Sequence, residues 1–477
     1  MTAPVPSRPV NEIDTSCRLP LLVLFVSAGL WLVIGSAFGL IASLKFHSPN
    51  FLADCPWLTY GRVRPACTDS LLYGFCIQAG LGVTLWLFAR MGNTKLSQPL
   101  LVVVGAKLWN LGVTVGILGI LAGDATGFET LEMPRYAAII LFLGYLVIAI
   151  WGVVTFHQRS KQILFAPQWF LLAALFWFPW IYSTATLLLL TFPVRGVAQA
   201  VITWWFANNL QVVWLGLVGL GTVFYFVPAL TNRVLYSRYL ALFAFWILIL
   251  FGSWGGIPNS APVPAWMPTI STVASVLSLF CVVSVAMNIY GTLEGKCSQL
   301  QAHTSLLFIG FGLISFIVAN LMMASGSMIQ ASRIVNLTWF TPAQNQLQVY
   351  GFFGMIMLGA IYYILPQLIG MEFPWPKLVR MHFWSAAIGV VLIVVPLALG
   401  GIVQGLKFQD PNVPFIDIAK STLNFLRAST LGELAIAFGH GIFLVNVVGM
   451  VNRFYRARAL SAFAAATATL PTAEVRA

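Results

Sequence analysis

Any chemistry in this chain has to come from a small set of side chains. Its 477 residues hold five histidines (His47, His157, His303, His382 and His440) and six cysteines without metal-type spacing. No Cys-x-x-Cys-His heme-attachment sequence occurs. Imidazole and thiolate are the usual protein donors to heme iron and copper, so the supply is thin for redox-metal chemistry. Carboxamides are clustered instead: Asn208, Asn209 and Gln211 in one apolar run, and Gln344, Asn345, Gln346 and Gln348 in another. A carboxamide in lipid is unfavourable without a partner, so both clusters are expected to face the bundle and bond across helices. They serve there as packing glue or as the lining of a site, with Asn208 and Asn209 close to Gln344 and Gln346.

Two ionisable residues stand deep in apolar runs. Lys107, in Gly105-Ala106-Lys107-Leu108-Trp109-Asn110, lies roughly 15 Å along its run at 1.5 Å per residue. A central lysine costs roughly 2.5–3.5 kcal/mol on insertion scales, so it is expected to face the interior, with Asn110 on the same face. His440 is a functional candidate by its depth alone, and a neutral hydrogen-bonded imidazole is the competing reading. The other four histidines fall at predicted helix ends, where interfacial or capping roles suffice.

The elements that must position these residues are membrane helices. Hydrophobic residues make up 59% of the chain and charged residues 8%, where a soluble domain carries roughly a quarter charged. Apolar runs lie at about 20–44, 70–90, 98–122, 136–156, 166–191, 199–228, 237–254, 266–291, 304–325, 343–369, 381–405 and 434–452. They predict an all-α, polytopic membrane protein with twelve transmembrane helices. No Asp or Glu falls inside any predicted span. The polar residues 1–19, with Pro4, Pro6 and Pro9, form an N-terminal segment, 20–452 the membrane domain and 453–477 a tail. The first apolar run is too long for the core of a signal peptide and is expected to stay as a helix. The longest stretches outside the spans are about 45–69 and 406–433.

The net charge of +12 follows the membrane. Arg90, Lys95, Arg159, Lys161, Arg233, Arg238, Lys296, Lys377, Arg380, Arg453, Arg456 and Arg458 lie at even-numbered turns or the C-terminus, while most acids lie at odd turns. The positive-inside rule then places both termini in the cytoplasm. A nucleic-acid partner would need basic residues clustered on a soluble surface, and none are so clustered. Cys55 and Cys67 share the first outer loop and either pair in an oxidising compartment or stay free. Cys76 and Cys281 read as buried apolar thiols.

Several segments resemble the heme-copper oxidase superfamily, specifically the catalytic subunit I of C-family (cbb-type) cytochrome c oxidases. Gly61-Arg62-Val63-Arg64-Pro65-Ala66-Cys67-Thr68 is similar to the family's G-R-x-R-P-x-H-T, with Cys67 in place of the histidine that binds low-spin heme. Trp204-Trp205-Phe206-Ala207-Asn208-Asn209 is similar to W-W-Y-G-H-N, with Asn208 at the copper histidine. Counting back from Gly359-Ala360-Ile361-Tyr362-Tyr363-Ile364-Leu365-Pro366, Gln344-Asn345-Gln346 takes the place of the H-x-H that holds both heme irons. The turn between Trp254 and Trp266 lacks the family's adjacent copper histidines, and residues 240–256 hold no tyrosine. His382-Phe383-Trp384 keeps a family pattern whose histidine is not a ligand.

The resemblance implies three four-helix arcs around central pores in a bacterial-type inner membrane, alongside a membrane-anchored c-type cytochrome or other respiratory subunits. It also implies heme b and copper, whose ligand positions here hold Cys67, Gln344, Gln346 and Asn208. The first functional expectation is therefore a subunit without cofactors or catalysis in a respiratory complex. The alternatives are an active terminal oxidase with substitute ligands and a transporter-like protein on the same scaffold.

Overall fold

A computed structural model describes residues 11–160, 163–295 and 303–468. Lys161, Lys296, residues 1–10 of the N-terminal segment and 469–477 of the tail lie outside the described residues. All twelve predicted spans fall within helices: α1 (Glu12–Lys45), α2 (Tyr60–Gly92), α3 (Pro99–Ala122), α4 (Arg135–His157), α5 (Ala166–Thr191), α6 (Val197–Thr231), α7 (Arg238–Trp254), α8 (Trp266–Leu293), α9 (Thr304–Ser327), α10 (Phe340–Ile369), α11 (Pro376–Phe408) and α12 (Phe415–Ala468). Eleven are long and apolar enough to cross a bilayer, and α7 is shorter. The described residues hold no strand. The last helix packs on both α11 and α1, so the first and last spans are neighbours.

The helix ends differ from the sequence expectation, and the difference matters. Asn11 caps α1 by accepting from the Ile13 amide, and the helix runs on through Pro20. Helix α2 starts at Tyr60 and α12 at Phe415, so the last part of the first outer stretch and most of the second are helical. Three acids expected outside the spans therefore lie within helices and are buried: Asp14, Asp69 and Glu433. Polar residues lower hydropathy at a helix end without ending its hydrogen bonding, provided each acid is accommodated. Asp14 is accommodated by Trp86 Nε1 at 3.0 Å and Arg90 Nη1 at 3.3 Å, both donated from α2.

The predicted inward orientation of Lys107 is overturned. Lys107 is exposed in a stripe with Leu100, Val104, Leu111 and Leu118. Small residues claim the opposite face of α3, where it meets α4 almost backbone to backbone. A β-carbon on Gly144 would lie 2.8 Å from the Trp109 nitrogen. The interior polar position belongs to Asn110 alone, which accepts from Trp31 Nε1 (3.0 Å) and donates to Gln78 Oε1 (2.8 Å) and Ser27 Oγ (3.2 Å). Cys55 and Cys67 are both free, with Cys67 buried in α2.

The α3–α4 connection folds over the N-terminal part of α2. Thr126 takes backbone and side-chain bonds to Glu132 and Leu131, and the Tyr73 hydroxyl donates to the Thr130 carbonyl at 2.7 Å. This brings Glu132 against Asp69, two buried carboxyl groups side by side. Burial pushes Glu132 up to about 7, against the lowering effect of the Asp69 side chain and nearby amides.

These placements can be checked by stability measurements. The folded carboxyl of Glu132 holds its proton to about pH 7, against 4.5 for an ordinary Glu, so the folded state binds more protons between those values. Stability from this group is full below the lower value and falls as pH rises through the window. The Tm in detergent should drop between about pH 5 and 8, and Glu132→Gln should flatten that slope; an unchanged slope refutes the assignment. For Lys107, replacement by methionine should leave the Tm within the range of a surface change, about 0.5 kcal/mol either way. A loss of about 2 kcal/mol, the size expected for orphaned buried partners, would contradict its exposure.

Candidate functional site

The helices that carry the clustered amides and Cys67 are wound irregularly just beyond them. A π-helical segment follows Asn208 (Asn209–Trp214), another follows Gln346 (Leu347–Gly354), and a third begins at Ser70, three residues after Cys67. A fourth ends α5 (Thr186–Thr191). Such i→i+5 turns are rare and are enriched at functional sites because they re-aim the side chains around them.

Helices α6, α8, α9 and α10 surround a cavity of about 540 Å³ that extends to the turn 256–260 and to residues 336–338. Asn208 and Gln211 line it from α6, and Gln344, Asn345 and Gln348 from α10. Asn320 of α9 and the serines Ser271 and Ser275 of α8 complete its depth. The Asn208 amide donates to the Gly252 carbonyl at 2.8 Å, and Gln348 Nε2 donates to the Gln211 carbonyl at 3.0 Å, tying α10 to α6. The proline-rich turn 257–264 closes one side. It reaches α6 through Gly256, whose φ of +93° suits glycine and where a β-carbon would meet that of Asn208 at 2.6 Å. Ser271 Oγ accepts from the Ile257 amide, and Asn259 donates to the Ser327 carbonyl, fixing the turn to α8 and α9.

The structure splits the predicted amide constellation. Asn208 and Gln344 share the cavity, joined by Gln211, Asn345 and Gln348. Asn209 does not line it. Its Oδ1 accepts from Trp177 Nε1 (3.2 Å) and its Nδ2 donates to the Ser253 carbonyl (3.1 Å), so it joins α5, α6 and α7. Gln346 is buried and also lies off the cavity wall.

Cys67 belongs to a second, closed cluster. A β-carbon on Gly39 would lie 3.3 Å from Cys67 Sγ and 3.1 Å from Glu433 Oε2, so thiol and carboxylate converge on α1. Arg64, one turn before Cys67, supplies the positive charge near Glu433. His440 Nδ1 pairs with Ser36 Oγ at 2.7 Å, and its ring stacks on Tyr350 with centroids 5.8 Å apart. His382 is fully buried rather than interfacial: its Nδ1 meets the Tyr362 hydroxyl at 2.8 Å, and its ring stands edge-on to His440. The remaining void among Phe75, Tyr350 and His440 is about 10 Å³, room for at most a single water. Among the described residues, no three His, Cys, Asp or Glu side chains converge in a way that could hold a metal ion.

Sequence reasoning missed Arg64, Glu433, Tyr350 and the burial of His382. One signal was available: Arg64 precedes Cys67 by three residues and Glu433 precedes His440 by seven, spacings that share a helix face once the helices are extended.

The comparisons with known proteins agree with this architecture. The family profile for cytochrome C and quinol oxidase polypeptide I matches residues 20–435. A cbb3-type cytochrome c oxidase subunit from Stutzerimonas stutzeri is 24% identical over 89% of this chain and 92% of its own length. A cytochrome c oxidase subunit 1 homolog from Azorhizobium caulinodans is 23% identical over 94% of this chain and 81% of its own. A subunit of the nitric oxide reductase of Stutzerimonas stutzeri is 24% identical over 92% of both chains. A heme-copper terminal oxidase dimer solved by cryo-EM superposes with a TM-score of 0.72 at 13% identity, covering 91% of this chain and 84% of that one. The chain is thus a multi-pass membrane protein that belongs to the cytochrome c and quinol oxidase polypeptide I family.

Proposed function

We propose that this chain is a non-catalytic, cbb-type subunit I that serves as a membrane scaffold in a respiratory complex. The observation that carries the reading is the donor set at the two cofactor places implied by the resemblance. Asn208, Gln344, Gln346 and Cys67 stand where the family uses imidazole. Neutral amide oxygens are poor donors to heme iron and copper, which favour imidazole and thiolate. Asn208 moreover already donates to the Gly252 carbonyl, and the turn beyond α7 offers no histidine beside it. On the other side, Tyr350 and His440 stack in the region between α2, α10 and α12 and leave space for a water, not a porphyrin. These residues do not fit a bis-imidazole heme or a histidine-bound copper. No catalytic step is assigned to either group.

The reading extends to the surroundings. Both termini lie in the cytoplasm, by the distribution of Lys and Arg, and the membrane is a bacterial inner membrane like that of the oxidase relatives. The electron-carrying partner is a membrane-anchored c-type cytochrome or another respiratory subunit, since this chain has no heme-attachment sequence of its own.

Purified protein should contain less than about a tenth of a copper or iron atom per chain and show no reduced-minus-oxidised band of low-spin b heme. One copper per chain, or that band at stoichiometric intensity, would replace this reading with an oxidase that uses substitute ligands. Asn208→His alone should restore neither copper nor oxygen consumption, because a single imidazole leaves the rest of the ligand set missing.

A further inference from the structure

We propose that the cavity between α6, α8, α9 and α10 is a binding site for a small uncharged, polyhydroxylated solute of sugar size. This rests on the non-catalytic reading to one extent only: the cavity must not be filled by a heme.

Volume comes first. About 540 Å³ falls within the roughly 300–1,000 Å³ of small-molecule pockets. The lining then selects the chemistry. Among the described residues, no lysine, arginine or histidine lines the cavity, and the one acid that does, Glu129, is exposed. An anion would find no counter-charge, and a metal ion no cluster of anionic or imidazole donors. An apolar guest would cover carboxamides without pairing them, which costs free energy for each one buried. A solute dense in hydroxyl groups meets none of these penalties.

The amides are also poised with capacity to spare. A carboxamide carries two donors and an acceptor with two lone pairs. Asn208 and Gln348 each commit a donor to a backbone carbonyl of α6 or the α7 end, and Asn320 donates to Phe316 on its own helix. Their carbonyl oxygens stay available. Gln211, Gln344 and Asn345 make no side-chain hydrogen bond to another described residue, although Gln211 is 9% exposed. Three nine-tenths-buried amides, Asn208, Asn320 and Gln348, therefore line one space with their acceptor oxygens uncommitted. The turn 257–260 and residues 336–338 line the cavity from the connections between helices.

The test uses the full chain in lipid nanodiscs, because sugar-headed detergents would compete. Equilibrium dialysis with radiolabelled glucose and sucrose, paired with gluconate and glucosamine, measures binding by size and charge. At least one neutral sugar should bind saturably at one site per chain, and its charged counterpart at least tenfold more weakly. Gln344→Leu and Asn208→Leu should each weaken binding about tenfold. The near-isosteric Asn345→Leu and Gln344→Met variants, which remove donors and acceptor together, guard against misfolding, and should lower neutral-sugar affinity while eluting as wild type. Absence of saturable binding by both neutral sugars, equal binding of charged analogues, or insensitivity to all four substitutions overturns the proposal and leaves a water-filled vestibule. Iron and copper are measured on the same sample. Heme present means the scaffold reading has failed; no heme and no sugar binding means only this inference has.

Discussion

A bilayer core offers no water, so each polar side chain inside the spans must find a protein partner or an aqueous space. That constraint organises this molecule more than its hydrophobic surface does, because lipid tails are as apolar as leucine and drive helices together weakly. Asp14 holds α1 to α2 through Trp86 and Arg90. Asn110 gathers Trp31, Ser27 and Gln78 from α1 and α2 around α3. Asn209 ties α5 and α7 to α6, and His440 ties α12 to α1. Small residues let the backbones approach closely enough for these bonds, as Gly144 does against Trp109.

Where the same constraint meets irregular winding, it produces the two functional regions. Consecutive residues of a helix point about 100° apart, so adjacent amides diverge: Asn208 faces the cavity and Asn209 the α5–α7 side. Gln344 and Gln348, four apart on α10, both reach the cavity while Gln346 between them does not. The amide cluster is thus two structures, a lining and a set of staples.

The legibility of the fold followed from the same physics. Twelve apolar runs marked twelve helices because length and composition are sufficient for a lipid-facing span. The helix ends were not legible, since Asp14, Asp69 and Glu433 look like loop residues until the elements that bury them are known. Lys107 was misread because depth along a helix says nothing of azimuth, which the glycines of α3 and α4 decide by packing. At the site, the amides were visible as types out of place in lipid. Their division was hidden, because which side of each helix meets the cavity depends on how α6 and α10 are turned against their neighbours.

The closed and open regions differ in what their side chains can do when brought together. Tyr350, His440, His382 and Tyr362 have flat faces and one or two polar atoms each, so stacking and two short hydrogen bonds hold them together, at the cost of leaving the Tyr350 hydroxyl and His382 Nε2 buried without a partner. Such a cluster can close until about 10 Å³ remains. The amides of α6, α9 and α10 carry several donors and acceptors apiece, more than one another's backbones can satisfy. The wall facing them includes the turn residues Gly256 to Ser260, pinned in place by Ser271 and Asn259. Closing that space would strand the amides without water, so the cavity stays open for the same reason that the other cluster is shut.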